Sequence, residues 1–114
     1  MDVTIVSDHQ TAILALLGVA GIARKQDDLP GALDILRCAL RVGLRFKMYA
    51  ATGRLPGGRP GSLELLNQIR SVRGIDQHTY CAAKRLLVQP PSTLSALIDG
   101  LTAVVRAIAE APER

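Results

Sequence analysis

The chain has 114 residues, of which 48% are hydrophobic but only 3% aromatic, and it carries a net charge of +4. This length is typical of one domain whose core needs neither disulfides nor a metal, so we expect a single helical domain over residues 1–114. The longest apolar run, residues 12–23, is shorter than the roughly 20 residues that cross a bilayer. With only two cysteines and no recognisable targeting signal, the expected location is the cytoplasm, without membrane attachment.

The first two predicted helices are long. Ser7 forms a capping-box pattern with Gln10, which predicts that helix one begins at Ser7 and continues through the apolar run. Asp28 is a suitable cap for helix two, and Pro30 is tolerated only in the first turn of that helix. Gly53 is a natural stop, so helix two is predicted between Asp28 and Gly53.

Three shorter helices are predicted in the second half of the chain. Residues 53–61, "GRLPGGRPG", hold too many glycines and prolines for regular structure and predict a flexible loop. Ser62 is expected to cap helix three and Gly74 to end it, while Asp76 caps helix four. The "QPPS" of residues 89–92 precedes helix five, whose apolar positions repeat at spacings of four and three: Leu94, Ile98, Leu101, Val105 and Ile108.

These patterns predict an all-α fold. Strand-favouring residues occur together only at residues 3–6, so an extensive sheet is not expected. We expect a compact bundle of about five helices, two of them long and antiparallel and the others shorter. Helices one and five are apolar on more than one side, as helices at subunit interfaces often are, so we expect a homodimer or a larger protein assembly.

The positive charge is concentrated in the middle of the chain. Residues 37–73 hold eight basic residues and one acid, so this segment carries +7 and the remainder −3. Such a distribution suits an acidic partner, an acidic patch of another copy, or the backbone of RNA or DNA. The expected binding residues are Arg37, Arg41 and Arg45, one helical turn apart, together with Arg54, Arg59, Arg70, Lys84 and Arg85.

Residues that could carry catalysis or hold a metal are sparse. His78 and Cys81 have a spacing that can place two metal ligands on one helix face, but Cys38 and His9 would have to converge with them. We therefore expect no metal and no cofactor, and we expect Cys81 to be a buried or half-buried apolar residue. No serine, histidine and aspartate arrangement and no carboxylate pair stands out, which favours a protein that is not an enzyme.

The stretch from Leu65 to Leu87 resembles the helix-turn-helix class over about twenty residues. Two short helices meet across Gly74, with Ile75, Asp76 and Thr79 where the class favours an apolar residue, a cap and a phosphate-contacting hydroxyl. The resemblance implies DNA binding through residues 62–87. Only Gln77, Lys84 and Arg85 offer base-reading side chains on the second helix.

A second resemblance involves Arg73 and His78, which are separated by "GIDQ". This spacing, with "ALDILRCALRVGLRFKMYAATG" leading by a loop to "SLELLNQI", is similar to the HEPN (higher eukaryotes and prokaryotes nucleotide-binding) helical bundles. Many HEPN proteins are ribonucleases that act as dimers. The resemblance implies that Arg73 stabilises phosphate charge and that His78 transfers a proton. Gly74 departs from the family, which favours a polar residue there.

We therefore expect a non-catalytic, self-associating helical interaction module with a basic surface, serving as a subunit or adaptor of a larger assembly. The first alternative is a HEPN-like protein that binds or cleaves RNA. The second is helix-turn-helix binding of DNA.

Overall fold

The computed structural model describes the backbone of residues 3–110 and the side chains of residues 7–110. Its helices are α1 (Val3–Lys25), α2 (Leu29–Thr52), α3 (Ser62–Ser71), α4 (Gln77–Val88) and α5 (Leu94–Glu110). Residues 3–110 contain no strand. The predicted all-α bundle of five helices is confirmed.

Helix α2 lies at the centre of the bundle and contacts α1, α5 and α3. Close packing fixes this arrangement at Gly43, where an added Cβ would lie 2.9 Å from Cγ2 of Ile108 and 3.7 Å from Cδ1 of Ile13. The His9 ring, in the first part of α1, stacks on the Phe46 ring, in the later part of α2, with the ring centroids 5.8 Å apart. The two long helices therefore run antiparallel, joined by residues 26–28. The core is aliphatic apart from Phe46 and Tyr80, as the composition requires.

The start of α1 differs from the prediction. The helix begins at Val3, so Ser7 lies inside it and does not cap it. The strand-favouring residues 3–6 have no strand to pair with in the described chain and instead form the first turn of this helix. Near its other end, Arg24 donates hydrogen bonds to Asp99 and Ser95, which fastens α1 to α5.

Both ends of α2 follow the prediction. The Asp28 side chain accepts a hydrogen bond from the Gly31 N–H at 3.0 Å, and Pro30 lies in the first turn, where no N–H is needed. Gly53 ends the helix in the left-handed conformation with φ of 75°, and its N–H donates to the Tyr49 carbonyl at 2.7 Å.

The boundaries of α3 were predicted imprecisely. Gly61, in extended conformation, is the N-terminal cap, and Ser62 is the first helical residue without capping. The helix ends at Ser71, and the left-handed residue is Arg73, with φ of 56°, rather than Gly74. A Cβ on Gly74 would lie 3.0 Å from Cβ of Ala51, so this glycine permits close approach to α2.

Helix α5 closes the bundle. Thr93 Oγ1 accepts a hydrogen bond from the Ala96 N–H at 3.2 Å, just after the "QPPS" break. The predicted inner positions Ile98, Leu101, Val105 and Ile108 are all buried, and Leu94 is half-buried. No helix of the described chain has the length and apolar character needed to cross a membrane.

Candidate functional site

The three arginines that the sequence places one turn apart on α2 are not equally exposed. Arg37 and Arg41 are exposed, whereas Arg45 is half-buried. A spacing of four residues advances by more than one helical turn of 3.6 residues, so the row drifts around the helix and its last member leaves the outer face. In the described residues the one salt bridge joins Arg24 and Asp99, so no described acid side chain forms an ion pair with Arg37 or Arg41.

Arg37 and Arg41 border a groove of about 530 Å³ between α2, α4 and α5. This volume lies within the range of ligand sites in proteins. The half-buried side chains Leu86, Leu87 and Leu97 form its floor with the buried side chains of α2 and α5. The full lining is Arg37, Cys38, Leu40, Arg41, Ser62, Leu86, Leu87, Pro90, Leu97 and Leu101. We refer to this site as the basic groove.

Two local features shape the basic groove. A Cβ on Gly100 would lie 2.7 Å from Cδ2 of Leu86, so α5 approaches α4 closely at that point. The chain break after α4 contributes Pro90 to the lining of the groove. Sequence reasoning identified the two arginines but missed the groove, because its apolar residues come from three helices that only the tertiary fold brings together.

Arg70 and Lys84 lie around the ring of Tyr80 rather than along a continuous nucleic-acid track. The Arg70 guanidinium is 4.5 Å from the ring centroid and the Lys84 ammonium is 5.8 Å from it. The Tyr80 hydroxyl donates to Asn67 Oδ1 at 2.9 Å. Interaction of the hydroxyl with Arg70 is the main reason that the pKa of Tyr80 is lowered. Both cations therefore contribute to the α3–α4 junction.

Arg73 and His78 are both exposed, on either side of the cap of α4. The Asp76 carboxylate accepts a hydrogen bond from the Thr79 N–H at 2.9 Å, and this bond is the main reason that the pKa of Asp76 is lowered. Within the described residues, no hydrogen bond joins Arg73 to His78. The catalytic roles implied by the HEPN resemblance stay a prediction.

The remaining predicted binding residues lie outside the basic groove. Arg54 and Arg59 are exposed in the loop between α2 and α3, and Arg85 is exposed in the last turn of α4. None of the three lines the groove.

The cysteines differ from the prediction. Cys38 and Cys81 are both exposed thiols, although Cys81 was expected to be buried or half-buried. Gln77 Nε2 donates to the Cys81 sulfur at 3.2 Å, one turn away on the surface of α4. The apolar face of α4 is instead formed by Tyr80 and Ala83. In the described part of the chain, no three histidine, cysteine or carboxylate residues form a group that could hold a metal.

Helix α1 has a second apolar face, as the sequence predicted. Ile13 and Ala20 are buried against the bundle, whereas Leu14, Val19 and Ile22 are 50%, 50% and 58% exposed. The large apolar side chains of α5, by contrast, are all at least partly buried against the bundle, and its exposed apolar residues are the alanines at positions 96, 103 and 107. Of the described helices, α1 therefore exposes the most large apolar side chains, although Leu63 of α3 and Val88 of α4 are exposed as well.

Comparisons of this chain with protein-family models, curated protein sequences and solved structures found no match.

Proposed function

We propose that this protein is a non-catalytic, self-associating helical interaction module that binds an acidic, amphipathic segment of a partner protein in its basic groove. The observation that carries this proposal is the groove itself, in which a leucine floor lies beside two arginines that form no ion pair in the described chain. A bound segment would bury apolar side chains on Leu86, Leu87 and Leu97 and place its carboxylates near Arg37 and Arg41. The protein would thus act as a subunit or adaptor of an assembly.

The leucine floor favours a protein partner over nucleic acid. A phosphate backbone interacts with cations and polar groups, and it has no apolar side chain to cover the exposed parts of Leu86 and Leu97. Base recognition in a major groove needs arginine, asparagine or glutamine on an outer helix face. On α4, Lys84 already lies over Tyr80, which leaves Gln77 and Arg85 for that purpose.

Self-association is supported by the exposed apolar face of α1. Three large side chains, Leu14, Val19 and Ile22, share an exposed helix face that no other described element covers. Large apolar side chains exposed together on one helix face are typical of interaction sites. The two exposed thiols support a reducing compartment such as the cytoplasm, where cysteines persist without pairing.

Fluorescence anisotropy tests the groove with a labelled synthetic peptide whose leucines and glutamates alternate at helical spacing. The wild-type protein should bind this peptide, and a peptide with lysine in place of glutamate should not bind. The double variant Arg37→Glu/Arg41→Glu should weaken binding at least tenfold. The matched control is Arg54→Glu/Arg59→Glu, which makes the same change in net charge outside the groove and should bind as wild type does.

The same anisotropy measurement is made with labelled single-stranded RNA and with labelled duplex DNA in place of the peptide. Equal peptide affinity in both double variants, or no peptide binding at all, would remove the proposed groove function. Tight RNA or DNA binding that falls steeply with salt and weakens equally in both double variants would favour the nucleic-acid alternatives.

A further inference from the structure

The residues on the exposed face of α1 are arranged so that two copies of the helix could pair about a two-fold axis. At 100° per residue, Thr11, Ala15, Gly18 and Ile22 form the centre of this face, and all four are exposed. The face has an acid, Asp8, near one end and a base, Lys25, near the other, and both are exposed. Arg24, by contrast, is already bonded to Asp99 of α5.

We propose that two copies of this chain pair through α1 in antiparallel orientation about a two-fold axis at the level between Leu16 and Leu17. This inference rests on the self-association in the proposed function and specifies its interface. The pairing brings Thr11 of each copy against Ile22 of the other. It also brings Asp8 of each copy to the level of Lys25 of the other, so that the ends of the face have complementary charge.

Two glycines provide room for this contact. A Cβ on Gly18 or Gly21 would meet no atom within 4 Å, so packing inside the chain does not require either glycine. Glycine inside a helix also lowers helix stability relative to alanine. In the antiparallel pairing, Leu14 of one copy lies over Gly18 and Gly21 of the other, where the missing side chains leave a hollow. Val19 likewise meets the alanines at positions 12 and 15.

The charges distinguish this pairing from a parallel one. A parallel pairing would place Asp8 beside Asp8 and Lys25 beside Lys25, with repulsion at both ends. The antiparallel pairing instead places opposite charges at the same level at both ends of the interface. Because a single helix face gives a small interface, we expect a dimer with a dissociation constant in the micromolar range.

A charge-exchange experiment by sedimentation equilibrium tests the orientation. Asp8→Lys and Lys25→Glu should each weaken the dimer about tenfold, because each replaces two attractions by two repulsions. The double variant Asp8→Lys/Lys25→Glu should restore wild-type association. The matched control Glu64→Lys/Arg85→Glu exchanges charges on α3 and α4 and should leave association unchanged.

The hollow is tested with Gly18→Leu, which should weaken the dimer, whereas Ala103→Leu on the exposed side of α5 should not.

Cross-linking then tests the register in a background with Cys38→Ser and Cys81→Ser. A mixture of Thr11→Cys and Ile22→Cys chains should form the mixed disulfide dimer on oxidation. Neither chain alone should cross-link efficiently, because identical positions are separated along the helices by roughly 16 Å.

The outcomes separate the two proposals. A wild-type monomer at all accessible concentrations would overturn both self-association and the α1 interface. If the dimer forms but its dissociation constant does not change in the charge and Gly18 variants, self-association is retained and α1 is not the interface. Loss of association in the single charge variants without recovery in the double variant would overturn the antiparallel orientation.

Discussion

The Tyr80 hydroxyl donates a hydrogen bond to the Asn67 side chain at 2.9 Å, and this contact joins α4 to α3 across the turn between them. The ring of Tyr80 is buried, and the cations of Arg70 and Lys84 lie near it. Side chains that the sequence suggested for nucleic-acid binding therefore also have a structural role at this junction.

Removing the hydroxyl tests that role. Tyr80→Phe should lower the free energy of unfolding by about 1 kcal/mol, because one partly buried hydrogen bond is lost while the ring stays available to Arg70 and Lys84. Tyr49→Phe is the matched control, since the described residues give the Tyr49 hydroxyl no hydrogen-bond partner. Urea denaturation measures both. An equal effect in the two variants would contradict the role of the Asn67 contact.

The cap of α4 gives a second prediction. Asp76→Ala should cost about 1 kcal/mol of stability, because the Thr79 N–H loses its acceptor. Asp76→Asn should retain most of the stability, since the amide oxygen also accepts a hydrogen bond. Thermal unfolding followed by circular dichroism distinguishes the variants. Similar losses in both would mean that charge, rather than hydrogen bonding, stabilises the cap.

The lowered pKa of Asp76 also predicts a dependence on pH. The folded state holds the proton of this carboxyl less tightly than the unfolded state, whose pKa is near the ordinary value of 3.8. Its stabilising contribution is complete above that value and is lost as the pH falls through the lowered folded pKa. Wild-type stability should therefore fall more steeply than that of Asp76→Asn below about pH 4. Parallel acid titrations would contradict this.

Arg73 is in the left-handed conformation, with φ of 56°. Arg73→Gly should raise the free energy of unfolding by about 0.5–1 kcal/mol. Glycine adopts the left-handed conformation without strain, and this gain is larger than the cost of the extra freedom that glycine gives the unfolded chain. Chemical denaturation measures the change. A loss of stability would show that the guanidinium contributes contacts that outweigh the strain.

The same variant tests the HEPN resemblance without the risk of unfolding. We expect wild type, Arg73→Gly and His78→Ala all to leave a labelled single-stranded RNA intact. RNA degradation by wild type that both substitutions abolish would instead establish the ribonuclease alternative. Activity that persists in both variants would indicate a contaminating nuclease.

Gly43 lies where α1, α2 and α5 meet, and an added Cβ would be 2.9 Å from Ile108. Gly43→Ala should be less stable than Gly21→Ala by about 1–3 kcal/mol. The gain in helix propensity is shared by the two substitutions, so their difference isolates the packing cost. The measurement is urea unfolding at protein concentrations low enough to avoid association. Equal stability of the two variants would contradict close packing at Gly43.

The sequence by itself determined the number and order of the helices, because stop and cap residues such as Gly53 and Asp76 act through local backbone chemistry. It also predicted the inner face of α5, since regular apolar spacing selects one side of a helix. Boundaries that depend on neighbouring helices were less predictable: α1 begins before Ser7, and Gly74 provides space against α2 rather than a left-handed turn.

The basic groove and the single unpartnered face of α1 were decided only by the tertiary structure. Arg37, Leu86 and Leu97 are distant in sequence, and each has an ordinary helical context. Periodicity shows that α1 and α5 each contain apolar residues beyond one stripe, but only packing decides which surface is covered. The bundle covers the large apolar side chains of α5 at least partly and leaves Leu14, Val19 and Ile22 of α1 exposed, because α2 and α5 both pack against the other side of α1.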